Sequence, residues 1–404
     1  MKNFKNSGIE WLGEIPKHWE VSKFKYFYRS SMGETILAQD LKDDGIPIYS
    51  ATEDDKFFGR IKNAINILNI NDFVIPARGN SIGAVKIVKE KSTCTQTTIF
   101  SKQFKEMNSY YVYYFLLGYR KFLFEFTQTA IPQITISQVN DNPILYPPLK
   151  EQEQIANFLD EKCEQIANFI EKKEKLINLL KEQKQVLINE TITKGLDKNV
   201  NFKDSGIEWL GEIPQHWEVK RLANFGTFLK GNGISRQDLV EYGEPAILYG
   251  DIYTKYQIKT HFLYSKISKK TLLSTTPICN GDILFSGSGE TKEDIGKSIV
   301  YLGDDNAFAG GDVIIFRQKE NNALFLSYVL NTKYANFCKS INSKGEIIVH
   351  IYASNLKDIK IPLPPLKEQE QIANFLDEKC EKIDLLIEKT EKQIKLIKEY
   401  KTTL

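Results

Sequence analysis

Two long stretches of the chain carry apolar residues in steps of four and three with charged residues between them, which is the pattern of a heptad repeat. The apolar positions are Ile155, Leu159, Ile166 and Ile170 in the first stretch and Ile372, Leu376, Ile383 and Ile387 in the second. Each stretch predicts a helix of about 36 residues, about 54 Å long. Because the apolar face of each helix must be buried and the other helix offers a matching face, we expect an antiparallel intramolecular coiled coil. Homodimerisation through the same face is the alternative.

The segments before the two predicted helices have a different pattern, in which short apolar runs are bounded by glycine turn signals. The strand-like runs cover residues 46–49, 73–76, 84–88 and 97–100 in the first segment and 246–249, 282–285, 298–302 and 313–317 in the second. Aromatic-rich stretches at 110–126 and 325–337 predict a buried helix in each segment, with base stacking as the alternative. Together these patterns predict an α+β fold. It has two mixed α/β domains, each with a small twisted or open barrel-like sheet, separated by the long helices and related by a pseudo-twofold axis.

Two passages of the chain occur twice, almost letter for letter. NFKNSGIEWLGEIPKHWEV at 3–21 returns as NFKDSGIEWLGEIPQHWEV at 201–219, and PPLKEQEQIANFLDEKCE at 147–164 returns unchanged at 364–381. The inserts between these passages match each other only sparsely. The repeat predicts a first domain at 1–146, a first helix at 147–200, a second domain at 201–363 and a second helix at 364–404. A shared framework with divergent inserts suits a molecule that docks on two copies of one partner while it reads two different targets.

Composition and charge narrow the class of protein. With 42% hydrophobic and 26% charged residues, the chain is typical of soluble globular proteins. It has neither an apolar run of the roughly 18 residues that a membrane span needs nor a signal-peptide core, so we expect a cytoplasmic protein. Five cysteines without a C-x-x-C pair fit a reducing compartment, and Cys163 and Cys380 are expected to be small core residues. The inserts at 21–146 and 219–362 carry net charges of only +3 and +4, so DNA binding needs a local patch or a partner that also wraps the DNA.

No catalytic constellation emerges from the motifs. The double prolines at 147–148 and 364–365 open helices and do not form the loop in which an adenine methyltransferase holds its flipped base. The S-G-S-G-E sequence at 286–290 lacks the lysine of a phosphate loop and the spacing of a dinucleotide fold. His18 and His216 follow the repeated prolines and are interpreted as turn or packing residues. We therefore predict a non-catalytic protein without a cofactor or a metal.

Four motifs recur in the same order in both halves. They are G-E-I-P-x-H-W-E-V, the D-[FI]-[VL] strand with its glycine turn at 72–83 and 282–289, the IS or AS dipeptide at 136–137 and 353–354, and the P-P-L-K-E-Q-E-Q-I opening of each helix. In this order the chain resembles the DNA-specificity subunits of type I restriction-modification systems. The resemblance covers essentially the whole chain.

The resemblance implies a specific division of labour. Each insert is implied to be a target-recognition domain that reads one half of a bipartite, asymmetric site on double-stranded DNA. The resemblance further implies that the helices set the spacer and dock two modification subunits, which methylate adenine, and that motor-nuclease restriction subunits join for cleavage of phage DNA. A stand-alone coiled-coil DNA-binding protein or repressor is the alternative, and an enzyme with an unrecognised site is a third reading.

Polar residues on the loops of the inserts are the candidates for base reading, because arginine can pair with guanine O6 and N7 and glutamine with adenine N6 and N7. The candidates are Arg78, Asn80, Ser81, Gln96, Thr97, Gln133 and Thr135 in the first insert and Ser286, Ser288, Thr291, Lys292, Lys344, His350 and Tyr352 in the second. Lysines are expected to contact phosphates, which sets register without specificity. These lysines are Lys56, Lys86, Lys255 and Lys259. For each candidate, an ordinary exposed polar residue is the alternative.

Overall fold

The computed structural model describes residues 3–125, 132–208, 210–346 and 348–404, with only the backbone of Leu273. The chain packs into two compact units: unit 1 comprises Met1–Lys172 and Gln393–Leu404, and unit 2 comprises Lys173–Lys392. Each unit contains a part of both long helices. In the portion of the chain that the structure describes, none of the helices has the length and apolarity of a membrane span.

Unit 1 contains the first copy of each repeated passage and the first insert. Its strands are β1 (Phe4–Asn6), β2 (Glu14–Pro16), β3 (Glu20–Lys23), β4 (Tyr28–Met32), β5 (Ile46–Tyr49), β6 (Gly59–Ile61), β7 (Phe73–Pro76), β8 (Lys86–Ile87), β9 (Thr93–Cys94), β10 (Thr98–Gln103) and β11 (Pro143–Tyr146). Its helices are α1 (Ser109–Gly118), α2 (Arg120–Leu123), α3 (Ile136–Asp141) and the first part of α4 (Leu149–Lys194).

The insert of unit 1 is built on two sheets. A four-stranded sheet has the order β4-β10-β7-β8, and a three-stranded sheet has the order β6-β5-β9. The apolar run of β7 is buried along its whole length, as a central strand covered on both faces should be. The core that includes Phe73 and Tyr111 also contains Ala156 of α4, so the first turns of the long helix complete the core of the domain.

Unit 2 contains the second copy of each passage and the second insert. Its strands are β12 (Phe202–Asp204), β13 (Glu212–Pro214), β14 (Glu218–Arg221), β15 (Thr227–Lys230), β16 (Leu239–Ile247), β17 (Lys259–Thr260), β18 (Ser265–Ile267), β19 (Thr276–Ile278), β20 (Ile283–Ser286), β21 (Ser288–Gly289), β22 (Ser298–Tyr301), β23 (Ala307–Ala309), β24 (Val313–Arg317), β25 (Val349–His350) and β26 (Lys360–Leu363). Its helices are α5 (Tyr249–Thr254), α6 (Ala323–Val329), α7 (Lys333–Ile341), α8 (Ala353–Leu356) and α9 (Leu366–Lys401), whose last turns belong to unit 1.

The second insert is larger than the first and carries a wider sheet. Its five-stranded sheet has the order β15-β24-β20-β22-β17, and a four-stranded sheet has the order β18-β16-β23-β19. β21 and β25 pair with each other in a separate two-stranded sheet. The α+β expectation for both inserts is confirmed.

Each aromatic stretch forms two helices, whereas its sequence pattern predicts one. In unit 1, α1 ends at Gly118 and α2 begins at Arg120; Phe126 of the predicted stretch lies outside the described residues. In unit 2, α6 and α7 are separated at Thr332, whose hydroxyl caps α7 by accepting a hydrogen bond from Ala335 N. A threonine at this point favours a new helix start over continuation of the previous helix.

The heptad stripes are buried as predicted. Ile166, Ile372, Leu376 and Ile387 are buried, and Ile155, Leu159, Ile170 and Ile383 are partly buried. Helix α9 has 36 residues, but α4 has 46 because no breaking residue interrupts it before Gly195, which has a φ of +72°. Both Cys163 and Cys380 are free thiols on these helices; Cys380 is buried and Cys163 is half-buried.

Within unit 2, α4 and α9 pack against each other in opposite directions. Lys184 Nζ donates to Asp384 Oδ2 at 2.6 Å. Eleven residues further along the chain, just past the end of α4, a β-carbon on Gly195 would lie 3.1 Å from Glu368 Oε1, near the start of α9. Ile188 of α4 shares a core with residues of α9 that include Leu376. The expected antiparallel intramolecular pairing is therefore confirmed for this unit.

Candidate nucleic-acid interface

The repeated N-terminal passage of unit 1 is fastened to the start of α4. β3 pairs with β11, with Glu20 opposite Tyr146. His18 Nε2 lies 2.8 Å from Glu151 Oε1, and the indole N–H of Trp19 donates to Glu151 Oε2 at 2.8 Å. The hydrogen bond from Trp19, followed by that from His18, lowers the pKa of Glu151 below its ordinary value. His18 thus clamps the passage to the helix and is more than a turn residue.

Unit 2 repeats this attachment. β14 pairs with β26 in the equivalent register, with Glu218 opposite Leu363. His216 Nε2 lies 2.8 Å from Glu368 Oε2. Trp217 differs from its counterpart because it is fully buried and its indole N–H has no partner among the described residues. We call the strand pair and the histidine–glutamate contact of each unit its mount.

A buried glutamine connects each mount to its insert. Gln152 Nε2 donates to Pro147 O at 2.7 Å, while Gln152 Oε1 accepts a hydrogen bond from Asn108 N at 2.9 Å. Gln369 makes the equivalent two bonds in unit 2, at 2.9 Å and 3.0 Å. Both ends of each amide are therefore satisfied, and the first aromatic helix of each insert begins at a fixed point relative to the long helix.

The residues that make these connections were not among the site residues predicted from the sequence. They are Glu151 and Gln152 in the first copy and Glu368 and Gln369 in the second. The available signal was their unchanged repetition, together with the repeated histidine. Local pattern alone could not pair residues so far apart in the chain.

In unit 1 the structure brings together two candidate readers from distant parts of the insert. Arg78 and Gln133 face each other in an isolated antiparallel bridge. The bridge is flanked by a hydrogen bond from Ile134 N to Ala77 O at 2.9 Å. Because directly opposed residues on neighbouring strands project to the same side, both side chains share one face, and both are exposed.

The other base-reading candidates of unit 1 differ in their exposure and in the hydrogen bonds that they already make. Asn80 is exposed and Ser81 is half-buried in the loop after Arg78, and Thr97 is half-buried, with its carbonyl accepting from Ala77 N. The side-chain oxygen of Gln96 accepts from a threonine hydroxyl at 2.8 Å.

Thr135 is exposed, but its hydroxyl is engaged. It caps α3 by accepting a hydrogen bond from Gln138 N at 3.2 Å. The backbone N–H of Thr135 in turn donates to the side chain of Gln138 at 2.8 Å, which completes a capping box. The Thr135 hydroxyl is thus committed to positioning the chain that carries Gln133.

In unit 2 a comparable face is formed around His350. His350 of β25 lies opposite Ser288 of β21 on one side and opposite Lys344 on the other. The ring of Tyr352 stacks beside that of His350, with centroids 6.5 Å apart and an angle of 22° between the planes. Lys344 and Tyr352 are exposed and His350 is half-buried.

The expectation that Ser286 and Ser288 contact bases is wrong for this structure, because both side chains are buried. Ser286 Oγ donates to Ser288 O at 2.8 Å, and Ser288 Oγ lies 2.9 Å from His350 Nδ1. Their S-G-S-G sequence has the composition of an open loop, but the pairing of β21 with β25 buries it. Thr291 and Lys292, which follow, are exposed.

Two of the four lysines expected at phosphates have free or partly free ammonium groups. Lys56 is exposed. Lys255 is ion-paired to Asp251 at 2.8 Å, with more than a third of its side chain exposed. A phosphate contact stays a prediction for both.

The other two lysines are engaged within the protein. Lys86 is 1% exposed, and its ammonium donates to Ser50 O and a threonine hydroxyl; burial lowers its pKa. Lys259 contacts Asp377 at 2.6 Å and Glu381 at 2.9 Å; burial opposes but does not outweigh these carboxylates, which raise its pKa. The prediction of a phosphate contact is therefore wrong for Lys86 in this conformation, and Lys259 instead joins the second insert to α9.

In the described ranges, no three histidine, cysteine or acidic side chains are grouped so that they could hold a metal ion.

Comparison with known proteins identifies the family. Residues 16–186 and 214–396 match the type I restriction modification DNA specificity domain. The type I restriction enzyme MjaVIII specificity subunit of Methanocaldococcus jannaschii is 27% identical over 410 residues, covering 96% of this chain and 91% of that protein. The putative MjaX specificity subunit of the same organism is 26% identical over 430 residues, covering 99% and 94%.

Solved structures show the same fold. A chain of a type I R-M system, described for its complex assembly and conformational transition, has a TM-score of 0.73 at 15% identity and 96% coverage of both chains. The HsdS subunit from Thermoanaerobacter tengcongensis has a TM-score of 0.55 at 15% identity, with 96% of this chain and 97% of that chain covered. With both inserts and most of each long helix inside the matched regions, the chain belongs to the family of type I restriction-modification DNA specificity subunits, the non-catalytic members of these systems.

Proposed function

We propose that this chain directs a type I restriction-modification complex to a bipartite, asymmetric DNA site, with each insert reading one half. The observation that carries the proposal is the repeated mount. The same strand register, the same histidine–glutamate contact and the same glutamine bridge hold two inserts whose loops differ in sequence. A constant mount with variable loops is suited to two independent readers.

The chemistry of the loops supports base reading. Arg78 and Gln133 expose on one face the two side-chain types that pair in bidentate fashion with guanine and adenine in the major groove. Lys344 and Tyr352 add an exposed cation and an exposed aromatic ring beside His350. Base contacts supply specificity, while Lys56 and Lys255 supply phosphate contacts.

The helix openings support docking of two copies of one partner. Leu149 of α4 and Leu366 of α9 are 41% and 49% exposed at equivalent positions. Lys162 lies over the ring of Phe158 at 5.8 Å, and the same pair recurs on α9 at 5.7 Å. Because equivalent surfaces bind equivalent partners, we assign these surfaces to two adenine-methyltransferase subunits. The helices also set the spacer between half-sites, and restriction subunits join the complex for cleavage.

Co-expression with the methyltransferase subunit of the same system tests this function. We expect a complex with two methyltransferase subunits for each copy of this chain, and methylated adenines only within one bipartite sequence. Sequence-specific binding by the chain alone, with no methyltransferase in the purified complex, would support the repressor alternative instead. Methyl transfer or hydrolysis by the pure chain would support an enzyme.

A further inference from the structure

Both inserts use one equivalent backbone contact after the D-[FI]-[VL] strand. Asp72 and Asp282 occupy equivalent positions in the two inserts, because the side chain of each accepts a hydrogen bond from the backbone N–H three residues earlier, at 2.8 Å and 2.7 Å. Five residues after each aspartate, a carbonyl accepts a hydrogen bond from the segment that leads to the next helix. The bond from Ile134 N measures 2.9 Å, and the bond from Ile351 N measures 3.0 Å.

These equivalent bonds flank one cross-strand pair of side chains in each insert. The pair is Arg78 and Gln133 in unit 1 and Ser288 and His350 in unit 2. Side chains in such a pair, which exchange no backbone hydrogen bond themselves, approach each other closely on one face. The same point of the fold therefore presents different hydrogen-bonding groups in the two inserts, which is what readers of different sequences need.

In unit 2 the hydrogen bonds of this pair determine which ring nitrogen of His350 carries a proton. Ser288 Oγ lies 3.1 Å from Asp312 Oδ2 and 2.9 Å from His350 Nδ1. A carboxylate only accepts, so the single hydroxyl proton of Ser288 is donated to Asp312. The hydroxyl can then only accept from His350, which requires the proton on Nδ1. In a neutral imidazole with this tautomer, Nε2 is an acceptor.

The other side of the ring is available to a ligand. Within the described part of the chain, no hydrogen-bonding partner of His350 Nε2 is found. Lys344 lies next to His350 across the strand pair, and Tyr352 stacks beside it, so the ring sits in a row of exposed polar and aromatic side chains. Bases present amino donors at adenine N6 and cytosine N4 in the major groove, whereas guanine and thymine present only acceptors there.

We propose that His350 reads one base pair of the second half-site by accepting a hydrogen bond on Nε2 from the exocyclic amino group of adenine or cytosine, with Ser288 and Asp312 as positioning residues. The proposal rests on the function proposed above. In this proposal Ser288 does not make the direct base contact that the sequence suggested. It acts by holding the proton of His350 on Nδ1.

Methylation mapping of complexes that contain variant chains tests the inference. His350→Arg, which can only donate, should change one position of the second half-site from adenine or cytosine to guanine. Ser288→Ala frees the tautomer of His350, so that position should accept keto and amino bases alike, an effect that a merely structural serine would not produce. The first half-site and the spacing serve as the internal control and should not change.

A series of binding measurements with the wild-type complex and modified DNA tests the same inference without relying on variant chains that fold. Each adenine of the second half-site is replaced in turn by purine, and each cytosine by its 4-deamino analogue. Loss of one amino group should weaken binding about 3- to 10-fold at a single position. His350→Ala, assembled into the complex, should show no such loss at that position.

The outcomes separate the two claims. If the wild-type complex methylates no bipartite site, the proposed function is wrong, and this result requires no variant. If the wild-type complex marks a bipartite site but His350→Arg and His350→Ala leave the second half unchanged, the assignment of His350 is overturned. A binding series in which no amino group matters overturns it as well.

Discussion

His18 and Glu151, which are 133 residues apart in the chain, are joined by a contact of 2.8 Å between Nε2 and Oε1. The contact connects one repeated passage to the other within unit 1, and His216 and Glu368 repeat it in unit 2. The two repeated passages therefore form the same attachment in both units. In each unit the mount holds the insert at the same place on its long helix.

Glu151→Gln should weaken unit 1 in a pH-dependent way. The pKa of Glu151 is lowered, so its contribution is present above the ordinary glutamate value of 4.5 and is lost as the pH falls through the lower folded value. We expect a lower melting temperature than wild type at pH 7, with a difference that shrinks below about pH 4.5. Calorimetry between pH 3 and pH 7 measures it.

Glu153→Gln is the matched control for this prediction, because Glu153 lies two residues further along α4 and is exposed. If both variants lowered the melting temperature equally, the effect would come from the loss of negative charge near the start of α4. It would not come from the contact of Glu151 with His18.

Leu376→Ala tests the burial of the heptad stripe. Leu376 is fully buried in the core that α9 shares with the second insert, so the substitution should lower the free energy of unfolding by about 2–5 kcal/mol. Leu386→Ala, at a position that is 45% exposed on the same helix, should change it by no more than about 0.5 kcal/mol. Urea unfolding of the full chain measures the free energy of unfolding of both variants. Equal losses for the two variants would contradict the burial of the heptad stripe.

Lys339 should make the stability of unit 2 depend on pH above neutrality. It is fully buried and donates to Gly296 O and Leu330 O, both at 2.8 Å, and burial lowers its pKa to about 7. Between this value and the ordinary value of 10.5, the unfolded chain binds more protons, so folding is favoured as the pH rises.

Lys339→Met removes this dependence. The free energy of unfolding of wild type should therefore rise relative to the variant by about 1 kcal/mol per pH unit between pH 7 and pH 9. Lys333→Met, on the exposed face of the same helix, should run parallel to wild type. A constant difference between wild type and Lys339→Met would contradict the buried, neutral amine.

Periodic features of the fold were predictable from the sequence, because the period itself reports the buried face. Leu376 and Ile387 are buried at heptad positions, and β7 is buried where the sequence reads continuously apolar. The length of α4 was underestimated, although Gly195 marked its end. The break at Thr332 also had a local signal, a helix-capping side chain, that the aromatic pattern obscured.

Features that depend on distant contacts were not predictable in this way. Ser288 has the sequence context of an open loop but is buried, paired with His350 and hydrogen-bonded to Asp312. Lys86 looks like a surface lysine but is covered by the segment that carries Ser50. The same limitation hid Glu151, since its histidine partner belongs to another passage.

Lengthening the helices tests their role as the spacer. Four residues inserted after Leu180 extend α4 by about 6 Å, which corresponds to one or two base pairs of duplex at about 3.4 Å each. A second insertion of four residues in α9 after Glu388 preserves the pairing of Lys184 with Asp384. The mapped gap between half-sites should grow while the bases read stay the same.

Insertions of seven residues at the same two points are the control for the heptad, because they preserve the stripe and separate lost stability from changed spacing. An unchanged gap in variants that still methylate would leave the helices as docking surface alone.

Exchange of one insert shows whether the two inserts read their half-sites independently. Residues 24–142 are replaced by the corresponding insert of another specificity subunit, which keeps β3, β11 and the clamp of His18 with Glu151 intact. In the assembled methyltransferase complex, mapping of methylated adenines should show one half of the site changed to that of the donor, with the other half and the spacing retained. Changes in both halves, or in neither, would contradict two independent readers on equivalent mounts.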